Sequence, residues 1–168
     1  IHLWEKAKDF ITRAFSLILV ASVVVWVLQT FDFRFFPVEQ AQDSMLAYIG
    51  GALSPGLAPQ GFGCWQAVAA LLPGLTAKET VVSTLTILTG AEGDAALAGS
   101  LAGLFSPLSA ASYLVFVLLY TPCVAAIATV KRELGSARAA AATVLIQCAI
   151  AWVMAFLVRS VGLLFGLA

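Results

Sequence analysis

Long apolar stretches alternate with short polar segments along the chain. About 17 to 25 helical residues cross a hydrocarbon core roughly 30 Å thick, and three stretches have that length: 14–30, 107–130 and 137–158. We call them the first, second and third predicted spans. Before them, residues 1–13 place apolar side chains on one helical face and charged side chains on the other. This pattern predicts a helix that lies at the membrane surface.

Residues 64–90 are also apolar, but Pro73 and Gly74 interrupt them in the centre. Leu72 precedes the proline and is therefore disfavoured in helical geometry, while glycine commonly ends a helix. The sequence TAKE (76–79) fits a capping box, from which a second helix would begin. Each half is then about 12–20 Å long, half a bilayer. The stretch therefore predicts a broken helical hairpin, either re-entrant or a discontinuous span.

The composition places the chain among integral membrane proteins. Hydrophobic residues make up 61% of it and charged residues 11%, with no net charge, which is more apolar than a soluble domain requires. The expected fold is a single all-α integral membrane domain over 1–168, with an interfacial N-terminal helix, three transmembrane helices and the broken hairpin. Nothing in the charge indicates a nucleic-acid partner. Because the chain begins with Ile1 rather than Met, we expect a piece of a larger protein.

Basic residues indicate which segments face the cytoplasm. Most of them flank two places, before the first span and between the second and third spans: Lys6, Lys8, Arg13, Lys131, Arg132 and Arg138. The positive-inside rule assigns both places to the cytoplasm, and loops 31–63 and 90–107 to the outside. The second span can return to the cytoplasm only if both ends of residues 64–90 lie on the outer side of the membrane. The charge pattern therefore favours a re-entrant hairpin.

Pro122 and Cys123 interrupt the second span near its middle. A proline has no N–H to donate and displaces the carbonyl four residues earlier, which belongs to Leu118. In lipid, a freed carbonyl is tolerated only where protein, water or an ion contacts it. The span thus offers a backbone oxygen beside a thiol as candidate ion ligands. The alternative is that Cys123 is a small buried residue that permits close helix packing.

Lys78 and Glu79 place ionisable groups near the tip of the hairpin. Such groups are costly within a membrane unless they are paired or hydrated, which favours a functional role. Polar side chains continue from there at helical spacing, as a water-filled path would require: Thr76, Glu79, Thr80, Ser83 and Thr86. The alternative is that Glu79 only completes the capping box, while the hydroxyls bond to their own helix.

The two interrupted stretches are expected to meet. The hairpin tip carries polar groups that cannot face lipid, and the second span has a carbonyl that cannot face it either. We therefore predict that the Cys123 sulfur lies within about 10 Å of residues 76–79, several metal–ligand bond lengths. The face of the second span that meets the tip recurs at three- and four-residue spacing and comprises Phe116, Leu119, Tyr120, Cys123 and Ile127.

Three segments together resemble the C-terminal membrane part of bacterial ferrous-iron transport protein B (FeoB type). They are LWEKAKDFITRAF (3–15), GLTAKETVVSTL (74–85) and LLYTPCVAAIATVKRELGS (118–136). More broadly, the chain is similar to the second gate domain shared with nucleoside transporters. The resemblance covers nearly the whole chain.

This resemblance implies the C-terminal half of a ferrous iron permease, which forms part of the Fe²⁺ translocation path as a multi-pass domain of the bacterial inner membrane. It implies Cys123 and Glu79 as metal ligands, to which the residue pattern adds the Leu118 carbonyl. Fe²⁺ accepts a thiolate together with carboxylate and carbonyl oxygens. The pathway and gating residues expected beside them are Thr76, Lys78, Thr80, Ser83, Tyr120 and Pro122.

The resemblance also implies partners in the same protein, an N-terminal GTPase domain and a first gate half. GTP and Mg²⁺ would act only through that GTPase domain, because the chain contains no G-x-x-x-x-G-K-[ST] phosphate-binding motif. We therefore expect no enzymatic activity in this chain. Membrane lipid is a further expected partner, and a homo-oligomer is an open possibility.

Three other functions fit parts of the sequence. A gate-type transporter of nucleosides or another solute would share the architecture, but it would need several amide and acidic side chains at the hairpin tip. An intramembrane thiol oxidoreductase would need a cysteine pair, whereas Cys123 and Cys148 lie on different spans. A purely structural subunit would leave Lys78 and Glu79 unexplained.

Overall fold

The computed structural model describes residues 15–16, 19–91, 93–120 and 123–166. The predicted interfacial helix over 1–13 lies outside the described residues, and so does Pro122. Within the described ranges the chain is helical apart from its turns, and one isolated β-bridge joins Phe31 to Pro37. The all-α fold class is therefore confirmed.

The described helices follow one another with short connections. In chain order they are α1 (Leu19–Thr30), α2 (Met45–Leu57), α3 (Trp65–Leu71), α4 (Thr80–Thr89), α5 (Asp94–Leu104), α6 (Pro107–Leu119), α7 (Val124–Leu134) and α8 (Ala137–Leu164). Short 3-10 turns occur at Ala41–Asp43, Ala58–Gln60 and Pro73–Leu75. The side chains of Ser106 and Ser136 cap α6 and α8 by accepting from the amides of Ser109 and Ala139.

Among the described helices, α8 alone is long and apolar enough by itself to cross a membrane. Its 28 residues extend about 42 Å at 1.5 Å per residue, and it continues past the predicted end at 158 to Leu164. α5 and α6 satisfy the same criterion only together, across a bend of 99°. Both α6 and α7 pack against α8. The exposed side chains of α8 are largely apolar, as contact with lipid requires, and include Leu145, Ile146, Ile150, Val153 and Leu157.

The second predicted span is divided into two helices, and this corrects the expected continuous face. α6 ends at Leu119, the backbone of Tyr120 is extended with a φ of −66° and a ψ of 171°, and α7 begins at Val124. The proline at position 122 supplies the physical reason, because it removes one helical hydrogen bond and disfavours helical geometry in the residue before it. Phe116 and Tyr120 are buried, but Leu119 is 42% exposed.

The stretch 64–90 is divided as well. α3 ends at Leu71, a 3-10 turn covers Pro73–Leu75, and α4 begins at Thr80 and packs against α3. The predicted capping box is wrong. Thr76 lies before the helix, its hydroxyl donates to the carbonyl of Pro73 at 2.7 Å, and the side chain of Glu79 makes no capping hydrogen bond. The 3-10 turn delays the start of α4 to Thr80, so Thr76 lies before the position from which a residue caps the helix.

Two tyrosines attach α6 to α3. The hydroxyl of Tyr113 donates to the carbonyl of Ala67 at 2.9 Å, and that of Tyr120 donates to the carbonyl of Leu71 at 3.1 Å. The acceptors lie four residues apart on one face of α3, while Tyr113 lies on α6 and Tyr120 directly follows its last residue. Phe116 stacks on Tyr120 with ring centroids 5.6 Å apart. These hydroxyls and rings form the contact that holds α6 on the hairpin.

We predict that Gly50→Ala destabilises the protein whereas Gly51→Ala stabilises it. A Cβ at Gly50 would lie 2.8 Å from both the Cβ of Ala69 and the carbonyl oxygen of Trp65, so α2 and α3 would have to move apart. Overpacking of this kind costs about 1–3 kcal/mol. A Cβ at Gly51 meets nothing within 4 Å, so alanine there adds about 0.5–1 kcal/mol of helix stability. The free energy of unfolding in mixed micelles measures both changes, and equal effects would contradict the close packing of α2 on α3.

We also predict that Tyr120→Phe lowers the free energy of unfolding by about 1–3 kcal/mol, the cost of an unsatisfied buried carbonyl. Tyr120 is 5% exposed, so water does not readily replace its hydroxyl. Tyr48→Phe is the matched control, because Tyr48 is 58% exposed, and it is expected to change the stability little. The same micelle unfolding titration compares the two variants. An unchanged stability in Tyr120→Phe would show that the bond to Leu71 contributes nothing.

Candidate functional site

The two breaks in the helices lie against each other. The break between α3 and α4 contributes Leu71 and Gly74, and the break between α6 and α7 contributes Tyr120. The hydroxyl of Tyr120 lies so close to Gly74 that a Cβ at that position would collide with it. The amide of Leu75 donates to Leu72, which leaves the Leu71 carbonyl to accept from Tyr120. Glycine at position 74 is therefore required for this approach.

Lys78 makes the second contact between the breaks. Its Nζ donates to the carbonyl oxygen of Leu118 at 2.8 Å and lies 5.5 Å from the centroid of the Tyr120 ring. In an uninterrupted helix the Leu118 carbonyl would accept from the amide of residue 122, and a proline there has no N–H. The sequence predicts that this oxygen needs a partner, and the structure supplies the Lys78 ammonium. A role for the same oxygen as a metal ligand stays a prediction.

The predicted polar stripe does not run as one helical face. Thr76 precedes α4, and the hydroxyls of Thr76, Thr80 and Thr86 donate to backbone carbonyls of Pro73, Ala77 and Val82. The alternative, in which the hydroxyls bond to their own helix, therefore holds for Thr86, whose acceptor lies on α4, whereas the acceptors of Thr76 and Thr80 precede α4. Ser83 is exposed on α4.

Cys123 and Glu79 each begin a helix. Cys123 is the N-cap of α7 and is half-buried, and it follows Tyr120 by three positions. Glu79 is the N-cap of α4 and is exposed. Both therefore flank the contact between the breaks, and the predicted approach of the sulfur to residues 76–79 stays a prediction. Among the described residues, no three His, Cys, Asp or Glu side chains converge on one point.

A polar cluster that the sequence did not predict connects the loop before α3 to the C-terminal half of α8. Gln60 is fully buried, and its Nε2 donates to the carbonyl of Trp152 at 3.2 Å. The indole N–H of Trp152 in turn donates to the carbonyl of Gly56 at 2.9 Å. The guanidinium of Arg159 occupies the space where a Cβ of Gly61 would lie. Pro59 and Gly61 are typical of an irregular loop, and the buried position of Gln60 shows that this loop is anchored to α8.

The chain is similar in sequence to one family model and to several known proteins. The family model described as "Gate: Nucleoside recognition" matches residues 11–137. The Fe(2+) transporter FeoB of Staphylococcus aureus strain MSSA476 is 38% identical over 162 residues, which cover 96% of this chain and 24% of the transporter. The Fe(2+) transporter FeoB of Methanocaldococcus jannaschii is 35% identical, with 95% of this chain and 24% of the transporter covered.

A fusion protein of Porphyromonas gingivalis, named Fe(2+) transport protein A/Fe(2+) transporter FeoB, is 30% identical over 98% of this chain and 25% of its own length. The chain thus spans about a quarter of the length of these curated relatives. No solved structure matches it significantly. Since the family model covers most of the chain and the resemblance noted in the sequence extends over nearly all of it, the chain belongs to the Gate family and is similar to the C-terminal membrane part of FeoB-type proteins.

Proposed function

We propose that this chain forms part of the Fe²⁺ translocation path of a ferrous iron transporter, at the contact between its two helix breaks. The observation that carries this proposal is the pair of cross-contacts, Tyr120 to Leu71 at 3.1 Å and Lys78 to Leu118 at 2.8 Å. Transporters commonly bind their ions where discontinuous helices expose backbone groups near the middle of the membrane. Relatives named as Fe(2+) transporters point to the ion.

The proposed membrane arrangement has α1, the α6–α7 pair and α8 as three crossings, with α3 and α4 as a re-entrant hairpin. α4 has 10 residues, about 15 Å of helix and half of the hydrocarbon thickness. α3 and its 3-10 turn form an apolar helix, Trp65–Leu75, of similar length. Two arms of this size reach the middle of the bilayer and return. The interfacial helix over 1–13 would precede the first crossing.

Cys123 and Glu79 are the proposed metal ligands of this chain, with the Leu118 carbonyl as a third. A thiolate with carboxylate and carbonyl oxygens suits Fe²⁺, which is intermediate in softness. Few strong ligands also suit transport, since the ion must leave again. The remaining ligands would come from a first gate half of the same protein. An N-terminal domain would bind GTP and Mg²⁺, and the whole protein would lie in the bacterial inner membrane.

A nucleoside or similar solute is the second candidate, because the family model is described by nucleoside recognition. A ribose ring needs several hydrogen-bonding side chains. At the hairpin tip, however, the Thr76 hydroxyl already donates to Pro73 and the Lys78 ammonium to Leu118. These two side chains are therefore not free to bind a sugar. Uptake assays with radiolabelled uridine beside Fe²⁺ distinguish the two substrates.

We predict that the turn between α7 and α8 faces the cytoplasm and the loop before α2 faces outward. Glu133 and Glu39 are both exposed and serve as labelling positions when replaced by cysteine. In a background whose own cysteines are replaced by serine, a membrane-impermeant maleimide added to intact cells should label Glu39→Cys but not Glu133→Cys. Labelling of Glu133→Cys from outside would reject the re-entrant hairpin.

We predict that Glu79→Gln and Cys123→Ser each reduce Fe²⁺ uptake at least tenfold in the complete transporter. Loss of one metal ligand or of its charge commonly costs binding by about this factor or more. Glu133→Gln and Cys148→Ser are the matched controls, the first on an exposed helix end and the second on α8. Uptake of radioactive iron under reducing conditions, normalised to inserted protein, measures the effect. Normal uptake in both ligand variants would refute the proposed path.

A further inference from the structure

Lys78 lies in a position that suits a bound cation. A backbone oxygen contacts its ammonium at 2.8 Å, and the ring of Tyr120 lies 5.5 Å away. Carbonyl oxygens and aromatic faces both attract positive charge. No described carboxylate forms an ion pair with Lys78, whereas Arg132 and Glu133 pair at 3.9 Å on the surface. The charge of Lys78 is thus held by the same kind of groups that hold an ion in a channel.

The geometry makes this contact easy to form and easy to release. Lys78 belongs to the non-helical segment between the 3-10 turn and α4, and its side chain is half-exposed. Lysine is a compact point charge on a flexible stem with four carbons, so it can leave the carbonyl without movement of a helix. The acceptor, in contrast, is a backbone oxygen at the end of α6, which Tyr120 attaches to α3.

We propose that Lys78 is a built-in competitor of the transported cation. Its ammonium blocks the carbonyl and ring position at the helix breaks, and it must withdraw before a divalent cation binds there. This inference rests on the proposed function. Two positive centres within a few ångströms repel each other strongly in a medium of low dielectric constant, so the ammonium and the metal exclude each other.

The competitor would select for charge and for ligand type. A monovalent ion that binds the Leu118 carbonyl would gain little more binding free energy there than the ammonium of Lys78 already gains. A divalent ion that also binds the Cys123 thiolate and the Glu79 carboxylate would gain enough binding free energy to displace the Lys78 ammonium. Lys78 would therefore keep the path closed to common monovalent cations.

A first experiment measures Fe²⁺ uptake by the complete transporter in reducing medium at several Fe²⁺ concentrations. Lys78→Met keeps the apolar stem but removes the charge, and it should lower the apparent KM for Fe²⁺ about tenfold, within the usual range for coupling between two ligands. Lys78→Arg keeps the charge and should keep the KM near that of the wild type. If Lys78 only satisfies the Leu118 carbonyl, Lys78→Met will reduce the amount of folded transporter with an unchanged KM, which overturns the proposal.

A second experiment needs no variant and therefore does not depend on folding. An amine-reactive reagent is added to the wild-type transporter with Fe²⁺, with Mg²⁺ or with neither, and labelling of Lys78 is quantified by mass spectrometry. Lys131, exposed at the end of α7, is the internal reference. Fe²⁺ should raise the labelling of Lys78 several-fold relative to Lys131, and Mg²⁺ should not. Labelling of Lys78 that does not respond to Fe²⁺ overturns the proposal.

The two proposals fail in different ways. If Glu79→Gln and Cys123→Ser abolish Fe²⁺ uptake while the labelling of Lys78 does not change with Fe²⁺, the proposed ion path stands. Only the proposal that Lys78 competes with the ion is then rejected. If both ligand variants transport Fe²⁺ normally, the proposed path fails, and the competitor fails with it.

Discussion

The arrangement of this chain depends on the exchange of hydrogen bonds between two interrupted helices. Each interruption frees a backbone carbonyl, that of Leu71 before the 3-10 turn and that of Leu118 before the second break. Each carbonyl accepts from a side chain of the other interrupted stretch, Tyr120 or Lys78. Within a membrane neither oxygen can remain unpaired. The two breaks therefore stabilise each other only when they lie at the same depth.

The rest of the described fold holds these breaks in place. Phe62 packs edge-on against Tyr113 at 5.1 Å and against Phe116 at 5.6 Å, which connects the loop before α3 to α6. The hydroxyl of Ser112 donates to the carbonyl of Ala155 at 2.8 Å, which connects α6 to α8. A backbone carbonyl is thus the acceptor at the contact of α6 with α8 as well as at the breaks. Such contacts need small neighbours, and Ala155 is fully buried against α6.

The sequence was sufficient for the helical class and for the break at Pro73, because a proline acts through local covalent geometry. It predicted one continuous span over 107–130, although the helix is divided there. It was also sufficient to identify Leu118 as an oxygen in need of a partner. It was not sufficient to name that partner, since Lys78 lies forty positions away and the choice between ammonium, water and ion depends on packing. The capping box failed because a 3-10 turn follows Pro73 and α4 begins only at Thr80, so Thr76 lies too far before the helix to cap it. Gln60 and Arg159 were missed because their positions depend entirely on how the loop before α3 packs on α8.

In the proposed membrane arrangement, the two arginines of α8 lie at the two boundaries of the hydrocarbon core. Arg138 and Arg159 are separated by 21 positions on one unbroken helix, about 31 Å along its axis and nearly the thickness of a hydrocarbon core. Between them α6 is fixed on α8, where the hydroxyl of Ser112 donates to the carbonyl of Ala155. In the proposed membrane arrangement, this contact ties the depth of α6, and of the break after it, to that of α8. A bilayer of different thickness would tilt α8, and the crossing of the two breaks would tilt with it, so the lipid itself would help to set the geometry at Tyr120.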